Sequence, residues 1–325
     1  MMLRVGIIGT GTMGQNHARI YSELSDIKLV GVADIDSEKC TAVSHRYKCT
    51  PYQDYRELLA QQLDAVSVTV PTSLHKEVAE NVAAAGVNML IEKPIADNVP
   101  SAQQIIDACR VKGVKLMVGH VERFNPAITV LRREIAQEEI CLVEITRIGP
   151  FPPRIKDVGI IIDLATHDID LIRYITGSEF KRSFGLISRN LIEHEDLAIL
   201  TFEMDNGTLA RVTTNWLTPF KVRELTIATK KKYLKASLID QRVTEYSRYS
   251  ENDSYLVRDI KVPYGEPLKL EIIAFLNSIW KDRPPPVTGD DGLRVLEVLR
   301  SCEHGLKQKY QPPQLSENEK TGVRI

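Results

Sequence analysis

No stretch of the 325-residue chain holds the roughly 18 consecutive apolar residues that a membrane-spanning helix requires. Neither sign of charge dominates. Lys and Arg total 42 against 43 Asp and Glu, a net charge of -1, so no whole-chain field exists to draw DNA, RNA or an anionic membrane. Cysteine is sparse and scattered: Cys40, Cys49, Cys109, Cys141 and Cys302 form no CxxC spacing. The expectation is a reduced, cytoplasmic chain with no cysteine-based metal site. Internal repeats and low-complexity tracts are missing as well. The opening stretch MMLRVGIIGTGTMG runs into glycines rather than a cleavable apolar region, so it does not read as a secretory signal.

The chain does have an ordinary globular balance, 43% hydrophobic and 26% charged. At ~150 residues per domain its length suggests two domains. The first 120 residues alternate strand and helix signals. Leu3, Val5, Ile7 and Ile8 make a short apolar run ending in glycines, as a strand buried on both faces would. Further apolar runs fall at Lys28–Ala33, Leu63–Val70, Val87–Ile91 and Val114–Val118. Helical stretches lie between them, with Gly86 and Gly113 as stops. Strand-helix-strand repetition at this pitch predicts a doubly wound parallel sheet covered by helices on both faces.

From about residue 140 the signals change to long β-type runs. Leu197–Met204 and Thr208–Trp216 flank Asp205-Asn206-Gly207, a hairpin signal because Asn and Gly tolerate positive φ. Val222–Ala228, Tyr233–Leu238 and Val243–Tyr246 continue the pattern. Helices are expected at Asn125–Gln137, Leu164–Ile175, Leu268–Trp280 and Gly292–Gly305. The expected division is therefore 1–120 for the parallel unit and 121–325 for an α+β unit with a large, mostly antiparallel open sheet. Such a sheet usually needs covering, which predicts a homodimer or homotetramer. Glu193-His194-Glu195-Asp196 reads as a solvated turn.

Gly9-Thr-Gly11-Thr12-Met13-Gly14 is a GxGxxG placed after a predicted strand and at the start of a predicted helix. Gly9 suits the tight turn, Gly11 the close approach of a pyrophosphate, and Gly14 close packing of helix on strand. The phosphates would meet the unpaired N–H groups of the helix start, at Thr12 and Met13. Asp34, at the end of the second strand, can accept from both adenosine ribose hydroxyls and would repel a 2′-phosphate. That predicts NAD in preference to NADP. Pro71 and Thr72 follow the next strand at the same sheet edge, with His75 just beyond, and complete the expected cofactor side.

Glu92-Lys93-Pro94 ends the fifth strand, an unusual place for a lysine chosen only for packing. Farther on, Asp163 and His167 stand four residues apart, on one face of a helix. A core or capping histidine is the plain alternative, and a His–Asp metal cluster finds no further ligand at suitable spacing. With the glycine motif, these stretches resemble the Gfo/Idh/MocA oxidoreductases along essentially the whole chain. The resemblance implies a Rossmann domain followed by the antiparallel unit, with NAD as cofactor and Glu92 and Lys93 beside it. It implies that Lys93 and His167 flank the reacting carbon, that Asp163 helps hold substrate, and that the Lys93-Pro94 bond is cis. Either Lys93 or His167 could take the hydroxyl proton.

Gly119-His120-Val-Glu-Arg123-Phe-Asn125-Pro126 and Pro150-Phe-Pro-Pro-Arg154-Ile-Lys156-Asp-Val-Gly159 resemble the UDP-N-acetylglucosamine 3-dehydrogenase branch of that family. The implied substrate is a small sugar or nucleotide sugar, met by His120 and Asn125, with Arg123, Arg154 and Lys156 as candidates for a diphosphate. An inositol or other sugar dehydrogenase, an NAD-dependent glycosidase and a non-enzymatic NAD-binding regulator are the alternatives. Retention of both Lys93 and His167 counts against the regulator.

Overall fold

The computed structural model describes residues 2–152, 159–248 and 254–305. Among these, β1 (Leu3–Ile8), β2 (Ile27–Ala33), β3 (Thr50–Tyr52), β4 (Ala65–Val68), β5 (Asn88–Glu92) and β6 (Leu116–Gly119) form one parallel sheet in the order β3-β2-β1-β4-β5-β6. Helices α1 (Thr12–Glu23), α2 (Ser37–Tyr47), α3 (Tyr55–Leu59), α4 (His75–Ala84) and α5 (Val99–Lys112) connect the strands. The chain order reverses between β1 and β4, so the carboxyl ends of these strands open a crevice where ligands of doubly wound sheets bind. Local chemistry fixes the helix ends. The Asn98 side chain accepts from Ser101 N at 2.9 Å to start α5, and Gly113, at φ 66°, ends it.

The second unit begins with α6 (Pro126–Glu134), β7 (Ile140–Pro150) and α7 (Thr166–Thr176). Its strands continue as β8 (Phe180–Ser188), β9 (Leu197–Met204), β10 (Leu209–Asn215), β11 (Leu217–Thr229), β12 (Lys232–Ser237), β13 (Arg242–Arg248) and β14 (Tyr255–Ile260). They form an eight-stranded sheet in the order β14-β13-β12-β11-β7-β10-β9-β8. Only the β7–β10 pair is parallel. The predicted hairpin joins β9 to β10, with Gly207 at φ 84°. Strands β8 and β14 carry no distinct sequence signal, because β8 mixes charge with apolar residues and β14 is an exposed edge strand.

The cores do not divide at residue 120. Leu268, Ile272, Phe275 and Leu276 of α8 (Pro267–Trp280) return to the core of the parallel sheet. Helix α9 (Gly289–Gly305) gives Leu293 and Leu296 to that core but Val295, Leu299 and Cys302 to the other. One amphipathic helix thus serves two cores and ties the units together. The turn expected to be solvated at Glu193–Asp196 is anchored instead. Asp196 is buried and accepts from Asn190 N and Asn190 Nδ2, both at 2.8 Å, and from Leu191 N at 2.5 Å.

Candidate active site

The glycine turn is tailored in all three positions. Gly9 sits at φ +98°, where a Cβ would lie 2.7 Å from the Thr69 backbone, and a Cβ on Gly14 would lie 1.9 Å from the Gly9 carbonyl. A Cβ on Gly11 would meet nothing within 4 Å, so that side faces open space. No side chain caps the start of α1, which leaves the N–H groups around Thr12 and Met13 to a ligand. Asp34 accepts from Thr10 N at 2.6 Å, Thr10 Oγ1 at 2.8 Å and Asp36 N at 2.9 Å. A carboxylate has about four lone-pair sites, so with these three taken it can brace the turn and still accept from a ribose hydroxyl. Ile35 beside it is 92% exposed, an apolar shelf at the adenosine end with no arginine for a 2′-phosphate. These residues fit NAD.

Pro71 and Thr72 lead into a short 3₁₀ turn before α4, at the expected edge. His75 departs from its expected role as a cofactor contact. It is buried, with Nδ1 3.0 Å from the Pro94 carbonyl and Nε2 3.0 Å from the Val70 carbonyl. Both ring nitrogens face backbone carbonyls, to one of which a neutral ring donates, so His75 packs between the loops after β4 and β5.

Lys93 follows β5, and its bond to Pro94 is cis. Its Nζ donates to the Asp163 carbonyl at 2.7 Å and lies 3.3 Å from Asp163 Oδ1. The lysine of the first unit is therefore aimed by an acid of the second. Asp163 lies in a π-helical turn, Ile161–Ala165, that precedes α7, where a regular helix is the sequence expectation. Such a turn carries one residue more than a regular one and re-aims its side chains, a frequent device at functional sites. His167, in the first turn of α7, has a buried Nδ1 without a partner. Burial first, then the charge of Lys93 with Arg147 and Arg223 behind it, holds the imidazole well below its usual range. It is neutral at pH 7, as a proton acceptor must be.

Residues 3–120 match the model of an oxidoreductase family with an NAD-binding Rossmann fold, and residues 140–235 match the GFO/IDH/MocA C-terminal domain. The chain is 33% identical over 300 residues to the UDP-N-acetylglucosamine 3-dehydrogenase of Acidithiobacillus ferrooxidans, covering 90% of this chain and 94% of the relative. It belongs to the Gfo/Idh/MocA oxidoreductase family. An inositol 2-dehydrogenase of Rhizobium meliloti is 32% identical over 335 residues, covering 96% of this chain and 99% of that one. A solved structure of the Acidithiobacillus enzyme superposes with a TM-score of 0.89 at 29% identity, over 95% of this chain and all of that one. The chain is thus an NAD-dependent dehydrogenase.

Several residues expected at substrate hold the oxidoreductase together instead. Arg123 is buried, and its Nε donates to Asp170 Oδ2 at 2.8 Å and its Nη2 to Asp170 Oδ1 at 2.5 Å. Its guanidinium also lies over the Tyr174 ring at 4.8 Å. Its fork of donors is thus taken by Asp170 rather than held out for a diphosphate. Asn125 is buried too; it caps α6 through Ala127 N at 3.1 Å and donates to the Leu238 carbonyl at 3.0 Å. His120 is 1% exposed, with Nδ1 4.0 Å from Asp170 Oδ2 and neither ring nitrogen hydrogen-bonded. Arg154 and Lys156 lie outside the described residues.

Sequence reasoning did not single out Arg147, Arg223 and Glu122. Arg147 is almost wholly buried, with Nε 2.7 Å from Asp168 Oδ1 and Nη1 2.9 Å from Glu122 Oε1. The signal was legible: the period of two on β7 puts Arg147 on the face of Val143 and Ile145, where an arginine needs a buried acid. Burial pushes the Asp168 carboxyl up to about 6, although Arg147 pulls the other way. Arg223 on β11 lies 3.3 Å from Glu122 Oε1 and its side chain remains 41% exposed. Its charge acts on His167, and that of Asp163 acts on it, so its free donors belong to the active-site surroundings. Among the described residues, no group of three or more His, Cys, Asp or Glu could hold a metal ion.

Proposed function

We propose that this chain oxidises the 3-hydroxyl of UDP-N-acetylglucosamine to the 3-keto sugar. The observation that carries the reading is the Lys93 ammonium held by Asp163 beside a neutral His167 at the cofactor edge. NAD held along the glycine turn and Asp34 would supply the acceptor for the hydride that leaves the sugar carbon. His167 takes the hydroxyl proton. Lys93 donates to the same oxygen and stabilises the negative charge that builds there, while Asp163 keeps the ammonium in place. The products are a ketone, the reduced cofactor and one proton.

The nucleotide-sugar assignment is supported by the relative at 33% identity and by the family resemblance around His120–Pro126 and Pro150–Gly159. Arg223 adds a half-exposed cation that a diphosphate could use. Remote binding of the UDP group would hold the sugar carbon against the cofactor, so free N-acetylglucosamine should be a much poorer substrate. The equilibrium of such an oxidation can hide turnover, so the test is mass spectrometry of a reaction with a trapping amine. A UDP-sugar product lighter by two hydrogens is expected, and Arg223→Ala should raise KM for the UDP-sugar only. The inositol reading rests on the Rhizobium relative at 32% identity. It prevails if an inositol turns over readily while no oxidised UDP-sugar forms.

The same reading takes the enzyme as a homo-oligomer in which a second copy covers the outer face of the eight-stranded sheet. Phe184, Leu186, Ile199 and Leu209 stand exposed on neighbouring strands of that face. Cys40, Cys49, Cys109 and Cys141 are free thiols, as a reducing cytoplasmic setting would keep them.

A further inference from the structure

Beneath the carboxyl edge of the first sheet runs a chain of four side chains that none of these steps uses. The Tyr21 hydroxyl lies 2.8 Å from Ser67 Oγ, and Ser67 Oγ lies 2.8 Å from His17 Nδ1. His17 Nε2 in turn lies 3.3 Å from Glu92 Oε1. Tyr21, Ser67 and His17 are wholly buried, while the Glu92 side chain at the end is 15% exposed. Chemistry fixes the direction of the protons. A carboxylate only accepts, so Nε2 carries the ring proton; Nδ1 then accepts from Ser67, and Ser67 accepts from Tyr21. Each donor is used once, from the core toward the site.

A buried histidine is ordinarily a satisfied core residue. Two placements set this one apart. His17 stands on α1, the helix whose first turn forms the dinucleotide motif. Glu92 stands immediately before the catalytic lysine, and its Oε2 accepts the Lys93 backbone N–H at 3.3 Å. The carboxylate is therefore gripped through both oxygens, once by α1 and once by the backbone of β5.

That grip has a chemical consequence. Oxidised nicotinamide is a cation and reduced nicotinamide is neutral, and the fold brings that end of the cofactor to the edge where Lys93 carries its own positive charge. A fixed carboxylate there offsets the repulsion for the oxidised form and does little for the reduced one. We propose that His17 is a positioning residue which, through Glu92, biases the cofactor site toward the oxidised dinucleotide. Burial would push the Glu92 carboxyl up, but the His17 hydrogen bond and the neighbouring positive charge outweigh it and keep it ionised.

The inference rests on NAD binding at this edge, and the test separates the two. Dissociation constants for NAD+ and NADH are measured by calorimetry on the full chain. Glu92→Gln and His17→Phe should each weaken NAD+ relative to NADH by roughly tenfold, the scale of a lost hydrogen bond to a charged group. His17→Gln, which keeps an N–H toward Glu92, should stay within about threefold of the parent ratio. His17→Phe combined with Glu92→Gln should do no more than Glu92→Gln alone, since one acts through the other. Asp34→Ala should weaken both redox forms alike. A folded His17→Phe with an unchanged NAD+ to NADH ratio, or additive effects in the double variant, overturns the proposal while leaving NAD binding intact. If the parent chain binds neither form, the cofactor reading falls and this one with it. Should His17→Phe fail to fold, Ser67→Ala decides: it removes only the hydroxyl that orders the ring, and it must lower the preference for NAD+ or the relay has no role.

Discussion

The two sheets bury themselves differently. In the parallel sheet every residue of β4 and β6 is buried, so both faces are covered from within the chain and only the strand ends are left for function. In the eight-stranded sheet β9 alternates. Ala198, Leu200, Phe202 and Met204 face the core, while Ile199 is 40% exposed on the other side. Their charges differ as well. The second unit sets Asp168 against Arg147 and Asp170 against Arg123, whereas Glu271, at the first core, is buried with both oxygens unpartnered. The first region covers both faces of its sheet; the second leaves apolar side chains exposed on one face of its own. The two regions join where Lys93 of one meets Asp163 of the other, and the proposed chemistry belongs to that seam.

The most severe test breaks that seam. Lys93→Ala and His167→Ala should each lower turnover by roughly 10²–10⁴, as expected for groups that move or stabilise a proton, while NAD affinity stays near the parent value. Because both act on one oxygen, the double variant should lose less than the product of the two losses. Steady-state kinetics beside calorimetry on the same preparations checks the split. Wild-type turnover in either single variant on the true substrate would remove that residue from the mechanism.

A milder test separates the faces of the second sheet using neighbours on β9. Leu200→Ala truncates a fully buried side chain and should cost about 2–5 kcal/mol of stability. Ile199→Asp places a charge on the outer face at the position paired with Leu186. It should leave the protomer fold nearly intact and shift the enzyme toward monomer in sedimentation. If Ile199→Asp left the assembly unchanged, that face would not be the one a second copy covers.

Much of this arrangement was legible in the sequence, and the rest was not for identifiable reasons. Glycines at positions 9 and 14 are dictated by backbone contacts, and Gly11 leaves open space beside the turn, so their spacing names their role. Lys93 stands at a strand end, an odd choice for packing, whereas His167 alone reads as a core or capping histidine and takes its role from the family resemblance. Arg123 misled because a guanidinium suits a phosphate and a buried aspartate equally well, and only packing reveals which it meets. Asp170, its actual partner, is 47 residues away in the chain. His75 misled similarly: it lies at the cofactor edge in sequence, but the carbonyls of Val70 and Pro94 close over it. The π-helical turn before α7 leaves no mark in composition, since a single inserted residue does not disturb the apolar pattern around it.

The smallest expected effect comes from Glu271, an acid at the first core whose oxygens meet no partner among the described residues. Burial, with Glu92 and Asp170 nearby, raises the Glu271 carboxyl well above its ordinary value near 4.5. In the folded chain it keeps its proton over a range of pH in which the unfolded chain has lost it. Stability therefore falls as the pH rises from the ordinary value toward the folded one, at no more than ~1.4 kcal/mol per pH unit, and the contribution is complete only below that range. Asp168, raised to about 6, adds a slope of the same sign, and His167, lowered, adds one of opposite sign lost as the pH falls below the ordinary histidine range. Both remain in a Glu271→Gln variant and cancel in the difference. Gln has nearly the same shape and no charge to acquire, so the variant should gain on the parent between pH 5 and pH 8 by about 1–3 kcal/mol. Urea midpoints of both proteins at the two pH values measure it. Parallel midpoints would mean that Glu271 ionises in the folded chain as it does in the unfolded one, with a cation or water meeting it, and the contrast between a paired and an unpaired core would have to be given up.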